Sequence, residues 1–480
     1  MEAQKNKDAG ATGPHILRRD TTDPVAFNEA VWGRVFNRKR DTDRVPRAVV
    51  QATCVAHVKE AVEEAGRQRC RVSVRSGGHS WAAWSVRQDA ILVDLGGLQH
   101  MAYDEGTRIV SCSPSATGEQ VNRFLEPKGR MFAGGHCPDV GLGGFLLQGG
   151  MGWNCKNWGW ACESIVAIDV VTADARELHC SSLENSDLYW AVRGAGPGFP
   201  AIVTRFYLLT RPRLQMYHSV YIYPQSMYRT VLQWVIDTSP TADKDTEVVC
   251  VAKRTGDGNS IDIIASFLSF KASRDEAERA MAGVHGTRPA GSRLATFCEP
   301  TDFAAQYVGQ REDQPPGCRF RADNVYVANE TEDVPGALER AFTALPTPRS
   351  FALYFAMNPT SRRPLPGDMA LSLHSDHYLA VYAIWDDDGD GSADEAAAAG
   401  WVRDVMADVD RRSVGAYMGD ADFQRRTTRY WSREAGERLR GIRRAWDPEG
   451  RICGYLDAGD RSGVQGLRNE FEWVDGEREG

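Results

Sequence analysis

The chain has 480 residues, of which 42% are hydrophobic and 25% charged, and its formal net charge is −8. These fractions are typical of folded globular proteins, and they exclude a disordered chain or a fibrous repeat. The acidic balance disfavours nucleic acid as a partner, and the sequence shows neither the apolar core of a secretory signal nor a run of about 18 apolar residues that would span a bilayer. We therefore expect a folded cytoplasmic protein that binds neither nucleic acid nor membranes.

The first elements predict an α/β unit. The apolar run RAVVQA at 47–52 predicts a strand, and RVSVR at 71–75 predicts another. Between them, CVAHVKEAVEEAG at 54–66 repeats apolar residues at helical spacing, with Thr53 available as N-cap and Gly66 as C-cap. Strand, helix and strand in this order are typical of such a unit.

The pattern continues as far as about residue 210. ILVDL at 91–95 predicts a strand, and a short helix is predicted from Thr117 to just before Gly129. A buried strand follows within 164–175, and 187–210 predicts a helix, a Gly/Pro loop and a strand.

Beyond about residue 213 the sequence pattern changes, and long strand-like runs alternate with helical ones. The strand-like runs are EVVCVAK, IDIIASFLSF, SFALYFAM and HYLAVYAIW, and the helical runs include SMYRTVLQWVID and SRDEAERAMAGV. This pattern predicts an antiparallel sheet backed by helices. Near the C-terminus, a last helix is predicted to stop before Pro448.

Two glycine-rich loops, 75–80 and 134–152, carry the chemistry. Many unobstructed backbone N–H groups in such loops can converge on a phosphate. Neither loop matches the Walker pattern or the Gly-x-Gly-x-x-Gly dinucleotide fingerprint. Each loop does hold a nucleophilic side chain, which a simple turn does not require.

The segments VRSGGHS, ILVDLGGL, GGHCPDVGLGGFLLQGGMGW, SIVAIDVVTADA and DLYWAVRGAGPGFPAIVTRF follow one another between about residues 46 and 212. Their order and spacing resemble the berberine-bridge-enzyme-like branch of the vanillyl-alcohol-oxidase flavoproteins, with a weaker match near 410–457. The resemblance implies an α+β fold: a two-part PCMH-type FAD-binding domain, formed by the N-terminal portion and a C-terminal segment, with an inserted substrate domain. The predicted boundaries are 1–30 for a polar extension, 31–212 for the FAD domain, 213–410 for the substrate domain and 411–480 for the returning segment.

The resemblance also implies two covalent links to FAD. His79 matches the histidine joined to the flavin 8α-methyl group, and Cys137, 58 residues later, matches the cysteine joined to C6 in a subset of the family. Imidazole and thiolate are both nucleophiles suited to such links. Val140, at the position that gates oxygen in the family, is the smaller choice and is typical of oxidases. His136 is interpreted as a neighbour without a role of its own.

Further flavin contacts follow from the resemblance. They are Arg75, Ser76, Gly77, Gly78 and Ser80 at the pyrophosphate, then Gly141, Gly143, Gly144, Gly149, Gly150 and Gly152, and Val203 at the adenine end. A metal site is not expected, because the spacing of His136, Cys137, Cys155 and Cys162 matches no usual zinc pattern.

The sequence pattern leaves more than one candidate for the catalytic base. Carbohydrate-oxidising relatives use a tyrosine in a Tyr-x-Asn-Tyr stretch, whereas this chain has AYMGDAD, with Tyr417 at the first tyrosine and Asp420 at the second. Asp420 with Tyr417 beside it is the leading hypothesis. The other candidates are the sheet tyrosines Tyr354, Tyr378 and Tyr382, for which a packing role is the alternative.

The resemblance therefore predicts an FAD-dependent oxidase that acts on a hydroxyl or related C–H group of a carbohydrate or natural product and reduces O2 to H2O2. The alternatives are a flavin-dependent dehydrogenase or oxidative cyclase of specialised metabolism, and a flavin or ligand carrier without turnover. The expected partners are a small-molecule substrate and O2. The pattern assigns neither the substrate nor the oligomeric state.

Overall fold

The computed structural model describes residues 13–38, 44–256, 258–358, 365–387, 392–422, 426 and 428–454. The first 12 residues of the predicted extension and residues 455–480 of the predicted returning segment lie outside these ranges. No helix in the described ranges is long and apolar enough to cross a membrane.

The first sheet has the order β1-β2-β4-β3. It consists of β1 (His15–Arg18), β2 (Ala48–Gln51), β3 (Val72–Arg75) and β4 (Ile91–Asp94), with helices α1 (Pro24–Trp32) and α2 (Val55–Gln68). β2 and β3 both run parallel to β4, as the predicted strand–helix–strand unit requires. Near the C-terminus, Ile452 forms a parallel bridge with Val72, so the chain returns to this sheet.

The helix α2 is present, but its predicted caps are wrong. Cys54 is the N-cap and makes no side-chain capping bond, while the hydroxyl of Thr53 lies 3.2 Å from Nδ1 of His57. The helix continues through Gly66 to Gln68. Its C-cap is Arg69, whose φ of 51° is left-handed. Two extra helical residues beyond Gly66 move the C-cap onto a side chain that tolerates this conformation poorly.

A second, antiparallel sheet follows in the order β5-β6-β10-β8-β9. Its strands are β5 (Met101–Asp104), β6 (Ile109–Cys112), β8 (Ile165–Thr172), β9 (Glu177–Ser181) and β10 (Ala201–Leu209). The connecting helices are α3 (Gly118–Leu125), α4 (Leu142–Leu147), α5 (Cys155–Trp158) and α6 (Ser186–Val192), and β7 (Arg130–Met131) pairs with β11 (Arg211–Pro212). Helix α3 begins as predicted, because Thr117 and Gln120 form a capping box, and Gly129 is left-handed at φ 63°.

The third sheet has eight antiparallel strands in the order β15-β12-β14-β13-β17-β18-β16-β19. The strands are β12 (Gln215–Pro224), β13 (Thr246–Arg254), β14 (Ile261–Lys271), β15 (Leu294–Thr301), β16 (Cys318–Val327), β17 (Phe351–Ala356), β18 (His377–Asp386) and β19 (Ser413–Gly415). Its helices are α7 (Tyr228–Thr238), α8 (Arg274–Thr287), α9 (Phe303–Asp313), α10 (Val334–Ala337), α11 (Glu339–Thr343) and α12 (Ser392–Val409). The predicted α+β class is confirmed.

The two faces of the large sheet have different coverings. One face packs with α7, α8 and α10–α12 in a core that contains Val231, Met281 and Val405. The opposite face shares a core with the glycine-rich loops, the second sheet and the last helix, α13 (Arg433–Trp446). Side chains alternate between these two environments along β13, β16, β17 and β18, so their parity decides which residues reach the space beside the loops.

Candidate active site

A cavity of about 560 Å³ lies between the two glycine-rich loops, one face of the large sheet and helix α9. The first loop begins at the carboxyl end of β3, which is one of the parallel strands. The second loop contains the short helix α4. The turn Met418–Asp420 completes the wall near the sheet. The topology therefore brings together segments that are far apart in the chain.

The two loops touch through their backbones. A Cβ at Gly77 would lie 2.5 Å from the backbone nitrogen of Gly141, so neither position accepts a larger residue without movement. A Cβ at Gly144 would meet no atom within 4 Å, and Gly144 lines the cavity. These glycines form a backbone cradle that leaves room for a ligand.

Most of the predicted cofactor residues line this cavity. They are Arg75, Ser76, Gly77, Gly78, His79, Ser80, Cys137, Val140, Gly141, Gly143, Gly144 and Val203. The guanidinium of Arg75 is held elsewhere, by an ion pair of 2.7 Å with Asp94 and a bond to the carbonyl of Ala30. Only the rest of Arg75 is available to a ligand.

The structure does not place Gly149, Gly150 or Gly152 in the cavity wall. Packing explains why these positions are glycine. A Cβ at Gly150 would lie 2.8 Å from the Phe145 ring, and one at Gly152 would lie 2.2 Å from the carbonyl oxygen of Ala133. Gly149 and Gly150 also have positive φ values of 108° and 80°.

His79 sits in an aromatic environment at the cavity wall. Its ring stacks on Phe36 with centroids 3.9 Å apart, and Trp81 meets it edge-on at 5.3 Å. Burial lowers the pKa of His79 to about 4. The imidazole is therefore neutral at physiological pH and keeps a nucleophilic lone pair.

Cys137 carries a protonated thiol. Its Sγ–H donates to Oε1 of Gln314 at 3.3 Å. Burial raises the pKa of the thiol to about 12, and the carboxylates of Asp420, Asp139 and Asp313 act in the same direction. A reaction of this sulfur therefore needs a group that removes its proton.

Asp420 lies in the cavity wall within a group of tyrosines. The hydroxyl of Tyr378 donates to its Oδ2 at 2.5 Å, and the side chain of Tyr382 also bonds to the carboxylate. Burial raises the pKa of Asp420, while these two hydroxyls and His136 oppose the rise. A buried carboxylate with a raised pKa suits a general base.

Tyr417 lines the cavity beside Asp420, and its hydroxyl accepts the backbone N–H of Met151 at 3.2 Å. Its backbone is fixed by Asn324, whose side chain bonds both the N–H at 2.7 Å and the carbonyl at 2.6 Å. A Cβ at Gly419 would lie 2.4 Å from the Tyr417 ring. Gly419 stands where the Tyr-x-Asn-Tyr pattern has asparagine, and its lack of a side chain lets the Tyr417 ring pack against the turn.

The sheet tyrosines separate by strand parity. Tyr378 and Tyr382 of β18 point to the cavity side, where Tyr382 lines the wall and Tyr378 reaches Asp420. Tyr354 of β17 lies on the opposite face, beneath the helices, and its hydroxyl bonds Nδ1 of His377 at 2.7 Å. The structure thus removes Tyr354 from the site, because Leu353 and Phe355 take the cavity side of that strand.

The comparisons with known proteins agree with this architecture. Residues 46–181 match the FAD binding domain family. Over 447 residues, the chain is 39% identical to the FAD-linked oxidoreductase janO of Penicillium janthinellum. The alignment covers 92% of this chain and 98% of that protein. The chain belongs to the FAD-linked oxidoreductases.

The solved structures extend the likeness in fold to this oxidoreductase as a whole. BBE-like 1 of Physcomitrella patens superposes with a TM-score of 0.77 at 16% identity, covering 92% of this chain and 96% of that one. The glucooligosaccharide oxidase of Acremonium strictum, described with a 6-S-cysteinyl, 8α-N1-histidyl FAD, gives 0.74 at 18% identity and the same coverage. The predicted family resemblance is confirmed, and the cofactor of this oxidoreductase is FAD.

The residues present fit this cofactor. The Gly77–Gly141 contact leaves a backbone cradle for phosphates, and the cavity offers one neutral imidazole and one thiol as nucleophiles. Among the described residues, no cluster of three His, Cys, Asp or Glu side chains could hold a metal ion.

Several residues that line the cavity of this oxidoreductase are not singled out by the sequence pattern. Glu247, Val249, Val251 and Lys253 of β13 all line the wall, and Lys253 pairs with Asp313 at the end of α9. His136, interpreted as a neighbour without a role, also lines the cavity and contacts Glu247 at 3.0 Å. The alternation along β13 was visible in the sequence, but it does not say which face meets the loops.

Proposed function

We propose that this FAD-linked oxidoreductase is an oxidase whose FAD is attached to both His79 and Cys137. It oxidises a hydroxyl or related C–H group of a small molecule and passes the electrons to O2, which forms H2O2. The observation that carries the proposal is that His79, Cys137 and Asp420 line one cavity, although they come from three distant segments. The doubly linked FAD named for the glucooligosaccharide oxidase supports it.

The roles of the side chains follow from their environments. Bound FAD supplies a two-electron acceptor for the hydride that leaves the substrate carbon. Asp420 accepts the proton of the substrate hydroxyl, and Tyr378 holds that carboxylate through its bond of 2.5 Å. Val140 lines the cavity three residues after Cys137, where a small side chain leaves space for O2.

The walls of the cavity favour an amphipathic substrate. The sheet contributes Val249, Val251 and Leu353, whereas α9 contributes Gln306 and Gln310 from the other side. Polar side chains flank the two valines on the same strand, at Glu247 and Lys253. We therefore favour a natural product that combines an apolar ring system with polar groups at its ends.

The attachment is tested by intact mass and by flavin fluorescence in a denaturing gel. The purified protein is expected to keep FAD mass after acid precipitation, and His79→Ala and Cys137→Ala are each expected to leave a single link. Cys453→Ala is the matched control, because Cys453 also lines the cavity and is expected to leave both links intact. Loss of all flavin mass from the acid-precipitated wild-type protein would contradict the proposal.

The reaction is tested with a peroxide-coupled screen of apolar alcohols, glycosylated aromatic compounds and oligosaccharides. Stoichiometric H2O2 from an apolar alcohol supports the oxidase and the substrate class together. A reduced flavin that persists in air would instead favour the dehydrogenase or the oxidative cyclase.

A further inference from the structure

A second proton-binding pair lies in the cavity. The Nε2 atom of His136 is 3.0 and 3.1 Å from the two carboxylate oxygens of Glu247. An ionised carboxylate only accepts, so Nε2 carries the hydrogen and donates it. Glu247 also accepts the backbone N–H of Asn154 at 2.5 Å, and its side chain is only 5% exposed. The carboxylate is therefore a fixed, buried anchor for the imidazole.

The other ring nitrogen of His136 is open. No group within the described part of the chain bonds its Nδ1, and the side chain is 20% exposed in the cavity wall. Trp153 and Phe355 pack against the ring, with centroid distances of 4.2 and 5.8 Å. An imidazole held at one nitrogen and open at the other is the arrangement of a His–carboxylate dyad.

The charges around the pair come from several elements. Glu247 faces His136 from β13, and the charge of Asp420 interacts with His136 from the turn after β19. Lys156 of α5 and His218 of β12 also interact with the charge of Glu247, and His218 lines the cavity. Burial lowers the pKa of Lys156 to about 8, although Glu247 opposes this. His136 therefore interacts electrostatically with Asp420 as well as with Glu247.

The second half of the oxidase reaction consumes a proton. When an alcohol becomes a carbonyl compound, the C–H hydrogen leaves with two electrons and the O–H hydrogen leaves as a proton. O2 takes up those two electrons and two protons to become H2O2. One of these protons derives from the transferred hydride, and a proton-holding group in the cavity can deliver the other faster than solvent does.

We propose that His136, anchored by Glu247, holds this second proton and delivers it through Nδ1 when O2 is reduced. Asp420 takes the hydroxyl proton in the first half of the reaction, and His136 donates one in the second. The total number of protons is conserved, and a proton released by Asp420 to solvent and one taken up by His136 from solvent return both groups to their starting states. His136 lies next to Cys137 and four residues before Val140, so it shares the wall at which O2 is expected to react. The inference rests on the proposed oxidase function.

The oxidative half of the reaction is measured without any substrate. The holoenzyme is reduced with dithionite in the absence of air and mixed with oxygenated buffer, and the return of flavin absorbance is followed between pH 5.5 and 9. We expect the wild-type rate to fall as pH rises, as for a step assisted by a general acid. His136→Gln is expected to be about 10- to 100-fold slower at pH 6 and nearly independent of pH. Glu247→Gln is expected to be slower than wild type.

The matched control is His179→Gln. His179 is also bonded to a carboxylate, Asp169, at 2.7 Å, but it lies outside the cavity wall. A fast wild-type rate that is unchanged in His136→Gln overturns the inference and leaves the oxidase function standing. Slow reoxidation of the wild-type holoenzyme at every pH overturns both.

A second measurement does not depend on electron transfer. Diethyl pyrocarbonate acylates unprotonated imidazole nitrogens, and peptide mass spectrometry locates the product. Since Glu247 is the acceptor that fixes the ring through Nε2, Glu247→Gln is expected to change the acylation rate of His136 at pH 6 at least severalfold. A His136 that reacts in neither protein, or at the same rate in both, contradicts the dyad.

Discussion

At the scale of single residues, burial sets the protonation states on which the site depends. The His79 imidazole is already neutral, because burial lowers its pKa to about 4, whereas the Cys137 thiol keeps its proton, because burial raises its pKa to about 12. The first side chain can attack without a base and the second cannot. We therefore expect the His79 link to form before the Cys137 link.

Asp420 is expected to lower the free energy of unfolding at neutral pH while it serves as the catalytic base. Its pKa is raised by burial, so the folded state holds the proton more tightly than the unfolded state. The folding free energy is unaffected below the unfolded pKa of about 4, and stability is lost as pH rises through the folded value. Asp420→Asn removes this cost, so we expect a higher melting temperature at pH 7.5 with turnover reduced about 10²- to 10⁴-fold.

This prediction is checked by differential scanning calorimetry at pH 4 and pH 7.5, beside a peroxide assay. The gain in melting temperature is expected only at the higher pH. A variant that is equally active, or that is less stable at pH 7.5, would show that Asp420 is not the buried base.

At the scale of elements, strand parity assigns the sheet tyrosines to different tasks. Tyr354→Phe removes a hydroxyl that bonds His377 beneath the helices, so we expect a loss of about 0.5–1.5 kcal/mol of stability with little change in turnover. Tyr378→Phe removes a donor to Asp420, so the pKa of that carboxyl is expected to rise further. The acid limb of kcat/KM should then move to higher pH in Tyr378→Phe and stay in place in Tyr354→Phe. Equal pH profiles for the two variants would contradict this assignment.

The end of α2 gives a second test at this scale. Arg69 is exposed and left-handed at φ 51°, a conformation that costs an ordinary residue about 1 kcal/mol, so Arg69→Gly is expected to stabilise the protein by about that amount. Gly66 lies inside the helix, and a Cβ there would meet only Arg451, at 4.0 Å. Gly66→Ala is therefore also expected to stabilise, by roughly 0.5–1 kcal/mol. Urea unfolding separates the outcomes, because a C-cap at Gly66 would make Gly66→Ala destabilising.

Local signals explain which elements could be predicted. The capping box of α3 and the apolar runs of β8, β13, β14, β17 and β18 are strong within their own segments. The patterns did not single out β12, β15 and β16, or helices α9 and α12. Helix α9 buries only Tyr307, so its sequence carries little apolar periodicity, yet its polar side chains line the cavity.

At the scale of the whole molecule, the segment around Ile452 packs on the sheet from which the first loop of the site extends. Ile452 is 3% exposed, joins the core of Val50, Val58 and Val72, and bridges β3 directly before the loop of His79. Ile452→Ala is expected to cost about 2–4 kcal/mol of stability and to lower the fraction of protein that retains FAD. Leu209→Ala, at a position 50% exposed, is the control and is expected to change stability by less than about 0.5 kcal/mol. Urea unfolding and flavin absorbance measure the two effects, and equal stabilities would contradict this role of the segment around Ile452.

The sequence by itself determined the glycine-rich loops, the two nucleophiles spaced 58 residues apart, and those strands and helices that carry strong local signals, because these depend on neighbours along the chain. Only the tertiary structure decided that Tyr354 lies behind the sheet, that Gly150 and Gly152 pack and do not line the cavity, and that His136 meets Glu247. His136 and Glu247 are 111 residues apart. A side chain's partner across such a distance is set by strand parity and sheet order, and one sequence shows the alternation without showing which face closes over the site.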